Sequence, residues 1–245
     1  SHGTLEGRPA VSVHGLGEVA LPFGTVTNGI VSDQVAVSNA LRQIWAENKF
    51  ECRHVILGIT SQQVVVRDLT MPNLPPDQLA KAWPYQAKEV VPLPLDQVLI
   101  DFTPLGPPDP HTEMVAGLLI ATPRLPVVAA VQAVERSGLK VARVDLSTFA
   151  ALRSIADENL AREAVIDMGA HVTNIVIHNH GVPKIVRTVP RGGQELTERL
   201  ADRTGMEMPQ AEQAKREEGV TGKTSSVTDA LTEGIRPLVS EIRSS

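Results

Sequence analysis

Apolar residues recur with two periods along the 245-residue chain, and the switches between them set out an order of elements. Val37, Leu41, Ile44 and Trp45 lie at spacings of four, three and one, which is one face of an amphipathic helix. Ser32 or Asp33, just upstream, offers a side-chain oxygen to the free amides of that helix start. Ala10 to Leu21 is apolar but broken by Gly15 and Gly17, and Gly24 and Gly29 mark further turns, so the first thirty residues read as strands and turns. Val55 to Ile59 predicts a short buried strand and Val64 to Leu69 another. Pro72, Pro75 and Pro76 end the second strand and lead to a helix over about 77–90, kinked at Pro84 where a backbone bond is lost. Val98, Ile100 and Phe102 alternate with polar neighbours, the pattern of a half-buried strand. A proline-rich loop over 106–111 precedes the fully apolar strand Val115 to Ala121. A helix carrying Val127, Val128, Val131 and Val134 follows and ends at Gly138, where a left-handed residue is tolerated.

From Lys140 the order alternates more regularly. A strand to Asp145, a helix from Ser147 to about Asn159 and a buried strand from Ala164 to Met168 are predicted. Val172 to His178 and Val182 to Val189 flank the turn His178-Asn179-His180-Gly181, a hairpin. Helices follow over about 193–204 and 209–218, then a polar loop from Gly219 to Ser226 and a last helical stretch from Val227 to Arg243. Strands alternating with helices, with antiparallel pairs inserted, predict an α/β fold. No repeat of fixed period is visible.

Composition narrows the function classes. Lys and Arg number 23 against 28 Asp and Glu, a formal charge of −5, with no basic block of the kind nucleic-acid binding requires. The seven aromatics are too scattered for a stacking platform. Cys52 is the lone cysteine, which excludes a disulfide scaffold and fits a reducing compartment. No run approaches the roughly 18 apolar residues of a membrane helix, and no basic and apolar leader opens the chain.

Candidate chemistry concentrates in Ala164-Val165-Ile166-Asp167-Met168-Gly169-Ala170-His171-Val172-Thr173-Asn174. A strand ends in an acid, turns on a glycine and returns as a hairpin. The glycine allows backbone amides to approach a phosphate, and successive amides in such turns form an anion nest. A carboxylate at the strand end is placed to hold magnesium, usually through water. The same short pattern also makes an ordinary hairpin turn. Downstream, Val189-Pro190-Arg191-Gly192-Gly193 precedes a helix, and Glu212 and Lys215 then sit one turn apart. Other signals are weaker. Gly222-Lys223-Thr224 lacks the first glycine of a phosphate loop, since Glu217 stands in its place. His178 and His180 read as turn histidines without a carboxylate or Cys partner, His171 as exposed, and Cys52 beside Arg53 as an inert thiol.

The order of hairpin, glycine before a helix, acid and lysine resembles the actin-like ATPase superfamily, and Leu118 to Pro123 with Phe149-Ala150-Ala151 looks like its first subdomain. Within that superfamily the chain is similar to the PilM family of type IV pilus assembly proteins. The residues carrying this are Leu21-Pro22-Phe23-Gly24, Arg67 to Leu74, Pro92 to Asp96, Val165 to Ala170, Arg187, Pro190, Gly192 and Gly193, and Ala211-Glu212 with Lys215. The likeness covers nearly the whole chain. It implies an α/β, actin-like (ribonuclease H-like) fold with an inserted strand-helix-strand-strand subdomain as in FtsA. Residues 1–61 and 113–160 would form the first subdomain, 62–112 the insert, and 161–245 the second half with the nucleotide-site hairpin.

The resemblance also implies ATP and Mg2+ as ligands. Asp167 would face the metal, and Gly169, Ala170 and Thr173 the phosphates. Gly192 and Gly193 would line the phosphate and ribose region, with Glu212 and Lys215 at the ribose and adenine. Asp145 would orient a hydrolytic water, or else is a polar strand end. The implied role is a cytoplasmic scaffold and regulator of pilus assembly, at most a slow ATPase. It would take the N-terminal cytoplasmic peptide of a PilN-type membrane protein in a groove between the first subdomain and the insert. The chain would then sit at the cytoplasmic face of the inner membrane through that and other inner-membrane pilus assembly proteins, with oligomer formation compatible. An FtsA-like or type II secretion actin-like protein, or an active phosphotransferase, remain alternatives. Departures from the family pattern include Pro84 and Gln86 in the insert. No Asp precedes Asp33 and no glycine pair follows Gly193, so the first phosphate loop and a late adenosine loop are expected to be missing, as in the middle of a longer protein that begins before Ser1.

Overall fold

The computed structural model describes residues 2–5, 8–22, 24–61, 63–75, 78, 91, 94–157 and 159–244, with side chains from Ser12 onward. The chain divides into two compact units, Ser1–Leu57 with Pro126–Val144, and Gly58–Leu125 with Asp145–Ser245.

The first unit opens with an antiparallel pair, β1 (His2–Leu5) and β2 (Arg8–Val11). Residues 12–22, within the stretch read as strands and turns, have no regular structure. β3 (Val26–Thr27) and β4 (Ile30–Val31) pair across Asn28-Gly29, both left-handed at φ 52° and 78°, the backbone a two-residue hairpin needs. Helix α1 (Gln34–Glu47) begins where the Asp33 carboxylate accepts from the amides of Val35 and Ala36, each at 2.9 Å. The Trp45 indole donates to the Cys52 carbonyl at 2.8 Å and meets Phe50 edge-on, fixing the chain that leaves the helix. β5 (His54–Ile59) pairs with β9 (Lys140–Leu146). Helix α2 (Arg124–Arg136) leads to β9 through Gly138, at φ +92°. β5 is not the buried strand its apolar run predicts. Its residues alternate, with Ile56 63% exposed, because among the described residues it has one strand partner and an open face.

In the second unit, β6 (Val65–Pro72), β7 (Val98–Pro104) and β8 (Met114–Pro123) form an antiparallel sheet in the order β6-β8-β7. β8 is the centre of this sheet. It is bonded on both sides along its length, from Val65↔Ala121 to Pro72↔Met114 and from Val98↔Pro123 to Pro104↔Gly117. A strand with two partners is the place for a continuous apolar run. Val91, Val98, Leu119 and Ala121 form the core beneath it, with Val65, Leu69, Leu95 and Ile100 against them. The kinked helix expected over 77–90, with Pro84 and Gln86, lies outside the described residues.

The other sheet is β10 (Glu163–Met168), β11 (Thr173–Asn179) and β12 (Val182–Val189), antiparallel in chain order. Helix α3 (Ser147–Ile155) covers one face through Leu152, Val165, Val176 and Val186. It stops at Ile155 rather than near Asn159, with Ala156 already extended. Helix α6 (Ser225–Arg243) covers the other face, where Leu238 and Ile242 meet Ile175, Ile177 and Val189. α6 begins inside the stretch expected as loop, and Gly219–Thr221 form a 3-10 turn there. Between β12 and α6 lie α4 (Gly193–Thr204) and α5 (Met208–Glu218), which bury Leu200, Ala211, Val227, Ala230 and Leu231 with α6.

Covering β11 on both faces explains its unbroken burial from Thr173 to Val176. β10, expected to be buried, is not. It buries Val165 and leaves Ile166 and Met168 exposed, while the core under α6 is built on β11 and β12. The hairpin tip is His180-Gly181, left-handed at φ 49° and 78°. His178 is no tip residue. It is fully buried with Nε2 2.8 Å from Glu163, and its Nδ1 accepts from the Gly181 amide at 3.1 Å. The partner is invisible in sequence because register brings it, Glu163↔His178 being opposite one another. The Asp157 amide, then the His178 hydrogen bond, hold the Glu163 carboxyl below its ordinary range.

A Cβ at Gly117 would run into the Phe102 ring and come 2.6 Å from the Thr103 carbonyl. Gly117→Ala should therefore destabilise the fold by about 1–3 kcal/mol in urea unfolding. The double variant with Phe102→Ala should lose less than the sum of the single losses, because the ring is what the new methyl strikes.

Candidate functional site

The site is built where the β10–β11 turn meets the entry to α4. The turn closes with the Gly169 amide donating to the Val172 carbonyl at 2.9 Å. The segment leaving β12 then folds over it. Gly193 N donates to Gly169 O at 2.9 Å and Gln194 N to Ala170 O at 2.8 Å. Thr173, fully buried at the start of β11, donates its hydroxyl to the Arg191 carbonyl at 2.8 Å. Gly192 is extended, so backbone strain does not select glycine there. Close approach does: a Cβ would press on Gly169 O and lie 2.5 Å from Ala170 O.

Helix α5 braces this closure. Lys215 Nζ donates to Gly193 O at 2.9 Å, to Thr197 Oγ1 at 2.8 Å and to Glu212 Oε2 at 2.6 Å. Thr197 donates to Glu212 Oε2 at 2.5 Å, and Arg216 Nε reaches Glu212 Oε1 at 2.7 Å. Burial works against the Glu212 charge, but the hydrogen bonds from Lys215, Thr197 and Arg216 and the Lys215 charge outweigh it. The Glu212 carboxyl is held at about 2 against an ordinary 4.5. Arg191 adds a second tie, with ion pairs to Glu195 and, at 2.8 Å, to Glu241 of α6.

Of the residues read from the sequence, Gly169, Ala170, Thr173, Gly192, Gly193, Glu212 and Lys215 come together here. Asp167 stands exposed on β10, opposite Asn174 and two residues before the turn. Asp145 is engaged elsewhere, in an ion pair with Arg153 of α3. No group of three or more His, Cys, Asp or Glu side chains gathers in metal-binding fashion among the described residues. Thr197 was not anticipated. Its signal was a hydroxyl one helical turn after the glycine pair, on the face that Glu212 and Lys215 must meet if α4 and α5 pack. Arg191 was part of the motif, but its ties to Glu195 and Glu241 were not foreseen.

The family model described as type IV pilus assembly protein PilM matches residues 6–242. The chain belongs to the PilM family. A solved structure described as the PilM-PilN type IV pilus biogenesis complex is 25% identical with a TM-score of 0.80, covering 91% of this chain and 66% of that one. This chain thus spans about two thirds of that relative's length. Looser likenesses, each at TM-score 0.46, are the ethanolamine utilization protein EutJ from Carboxydothermus hydrogenoformans and MreB5 of Spiroplasma citri bound to ADP. EutJ is 16% identical over 89% of this chain and 56% of its own; MreB5 is 14% identical over 89% and 59%. The α/β, actin-like class expected from the motifs is the fold observed.

A second concavity of this PilM-family chain lies beside β12. It encloses about 470 Å3 and is lined by Ser61, by Val66 and Arg67 of β6, Thr148 of α3, and Arg187 and Thr188 of β12. Among the described residues, β6 and β12 are both edge strands of their sheets. Thr188 and Asn174 bond to each other at 3.1 Å in its wall.

Gly192→Ala should destabilise the protein by about 2 kcal/mol or more, measured by chemical denaturation, since two backbone carbonyls rather than a mobile side chain must give way. The Glu212 carboxyl titrates lower in the fold than in the unfolded chain. Its contribution is therefore full above about 4.5 and lost as the pH falls toward about 2. Glu212→Gln should accordingly show a shallower loss of stability between pH 5 and pH 3 than the wild type.

Proposed function

We propose that this chain serves pilus assembly as a nucleotide-biased scaffold, binding Mg-ATP at the β10–β11 turn and the N-terminal cytoplasmic peptide of a PilN-type membrane protein. The observation that carries the reading is the closure of Gly192–Gln194 over Gly169–Ala170. It leaves a preformed glycine turn in which the Ala170 and His171 amides donate no hydrogen bond among the described residues, with Asp167 two residues before the glycine. Such amides suit phosphate oxygens, and the carboxylate suits a hydrated magnesium ion. The donor set fits the group. ATP would supply negative charge and a metal bridge at that turn, and the chain's own part is to hold the turn open and rigid.

Asp145 weighs against fast hydrolysis, because its carboxylate is paired with Arg153 and so is not poised to take a proton from water. A ligand that biases two conformations needs no such base. For the peptide, the concavity between β6 and β12 offers two strand edges to which an extended segment adds by backbone hydrogen bonds. No described helix is long and apolar enough to cross a membrane, so a membrane partner's peptide would supply the attachment to the cytoplasmic face of the inner membrane.

Calorimetric titration of the full-length protein with a PilN-type N-terminal peptide should give saturable binding, and Mg-ATP should shift that affinity by the same factor that peptide shifts the affinity for Mg-ATP. Absence of peptide binding would overturn the scaffold reading. Magnesium-dependent turnover abolished by Asp145→Ala would replace it with a phosphotransferase.

A further inference from the structure

Glu212 and Lys215 occupy positions where the family resemblance implies contacts to ribose and adenine, and the three protons of Lys215 are turned inward. An ammonium group has three protons. Lys215 Nζ has three acceptors within 2.6–2.9 Å, namely Gly193 O, Thr197 Oγ1 and Glu212 Oε2. Its side chain is 18% exposed. Thr197, 1% exposed, accepts from Lys215 and passes its own proton to Glu212. The remaining Glu212 oxygen takes Arg216. Every proton in the Lys215–Thr197–Glu212 ring therefore has a protein acceptor.

We infer that Thr197, Glu212 and Lys215 are positioning residues, a brace that holds the Gly193 carbonyl and so keeps Gly192–Gln194 shut on the Gly169–Ala170 turn. The geometry supports this at each joint. A Cβ on Gly193 would lie 3.2 Å from Lys215 Nζ, so the ammonium sits directly on the glycine backbone. The carbonyl it holds belongs to the same residue whose amide bonds Gly169 O. Pulling Lys215 outward would break all three of its hydrogen bonds and remove the charge-assisted donor from the Gly193 carbonyl. What the brace does for a nucleotide rests on the proposed reading of the turn; that it orders the turn does not.

Amide hydrogen exchange on the ligand-free full-length protein separates the two. Thr197→Val is near-isosteric, at a position only 1% exposed. It and Lys215→Met should each lower protection of the Gly193 and Gln194 amides by about tenfold or more, the size expected for losing a charge-assisted hydrogen bond. The double variant should be no worse than either single one, and Thr197→Ser should restore wild-type protection. α1 amides should not change. Unaltered protection at Gly193 and Gln194 in both single variants would overturn the inference. In nucleotide titrations, Lys215→Met and Thr197→Val should weaken Mg-ATP and Mg-GTP by equal factors. Loss confined to ATP in Lys215→Met, with Thr197→Val normal, would mean that Lys215 reads the base. Should the wild type bind no nucleotide at all, the nucleotide reading falls and the exchange result still decides the brace.

Discussion

The passage of Gly192 against the Gly169–Ala170 turn is the constraint on which the second unit depends. At that point the chain leaves a three-stranded sheet and enters a three-helix cluster, and two backbone hydrogen bonds join the two. Gly193 N to Gly169 O and Gln194 N to Ala170 O make the first turn of α4 an extension of the sheet's own hydrogen bonding. Helix starts leave amides unpaired, and here the carbonyls of the neighbouring turn satisfy two of them. That arrangement tolerates no side chain at 192. It also fixes where α4 points, and hence where α5 and α6 close over Leu200, Ala211 and Leu231.

Charge then holds what sterics set. Arg191 ties the start of the segment to Glu195 and Glu241, while Lys215 ties Gly193 to Glu212. The two anchors flank the glycine pair from α6 and from α5. Isolated surface ion pairs contribute little, commonly under about 1 kcal/mol. Pairs that share a carboxylate and a backbone carbonyl are different, since each member orders the next. The depressed titration of Glu212 registers that ordering in a measurable way.

What could be read from sequence was what neighbouring residues decide. Asp33 caps α1, Gly138 takes the left-handed turn after α2, and α4 spans the residues expected, because each depends on a few adjacent side chains. The glycine turn and the glycine pair were legible as a motif for the same reason. Burial was less legible. The apolar runs of β5 and β10 resemble that of β8, yet among the described residues β8 alone of these three has strands on both sides. The Glu163 partner of His178 arrives by register, and Thr197 meets Lys215 only once α4 packs on α5. These are tertiary facts, and a one-dimensional pattern does not contain them.

The same hairpin serves two places. Thr173 begins β11 beneath the glycine turn, and the next residue, Asn174, bonds Thr188 in the wall of the concavity beside β12. Adjacent residues of one strand point to opposite faces, so the two surfaces are separated by the thickness of a single sheet. β11 is packed on both sides, by α3 and by α6, which leaves it little freedom to bend. A ligand at the turn could then influence the concavity only by moving the hairpin as a body or by changing how tightly Gly192–Gln194 closes. The second route passes through Gly193, the residue that Lys215 holds. On the proposed reading, a rigid sheet with one adjustable clasp would link nucleotide and peptide affinities without hydrolysis, because linkage requires only that each ligand favour the same state of the clasp.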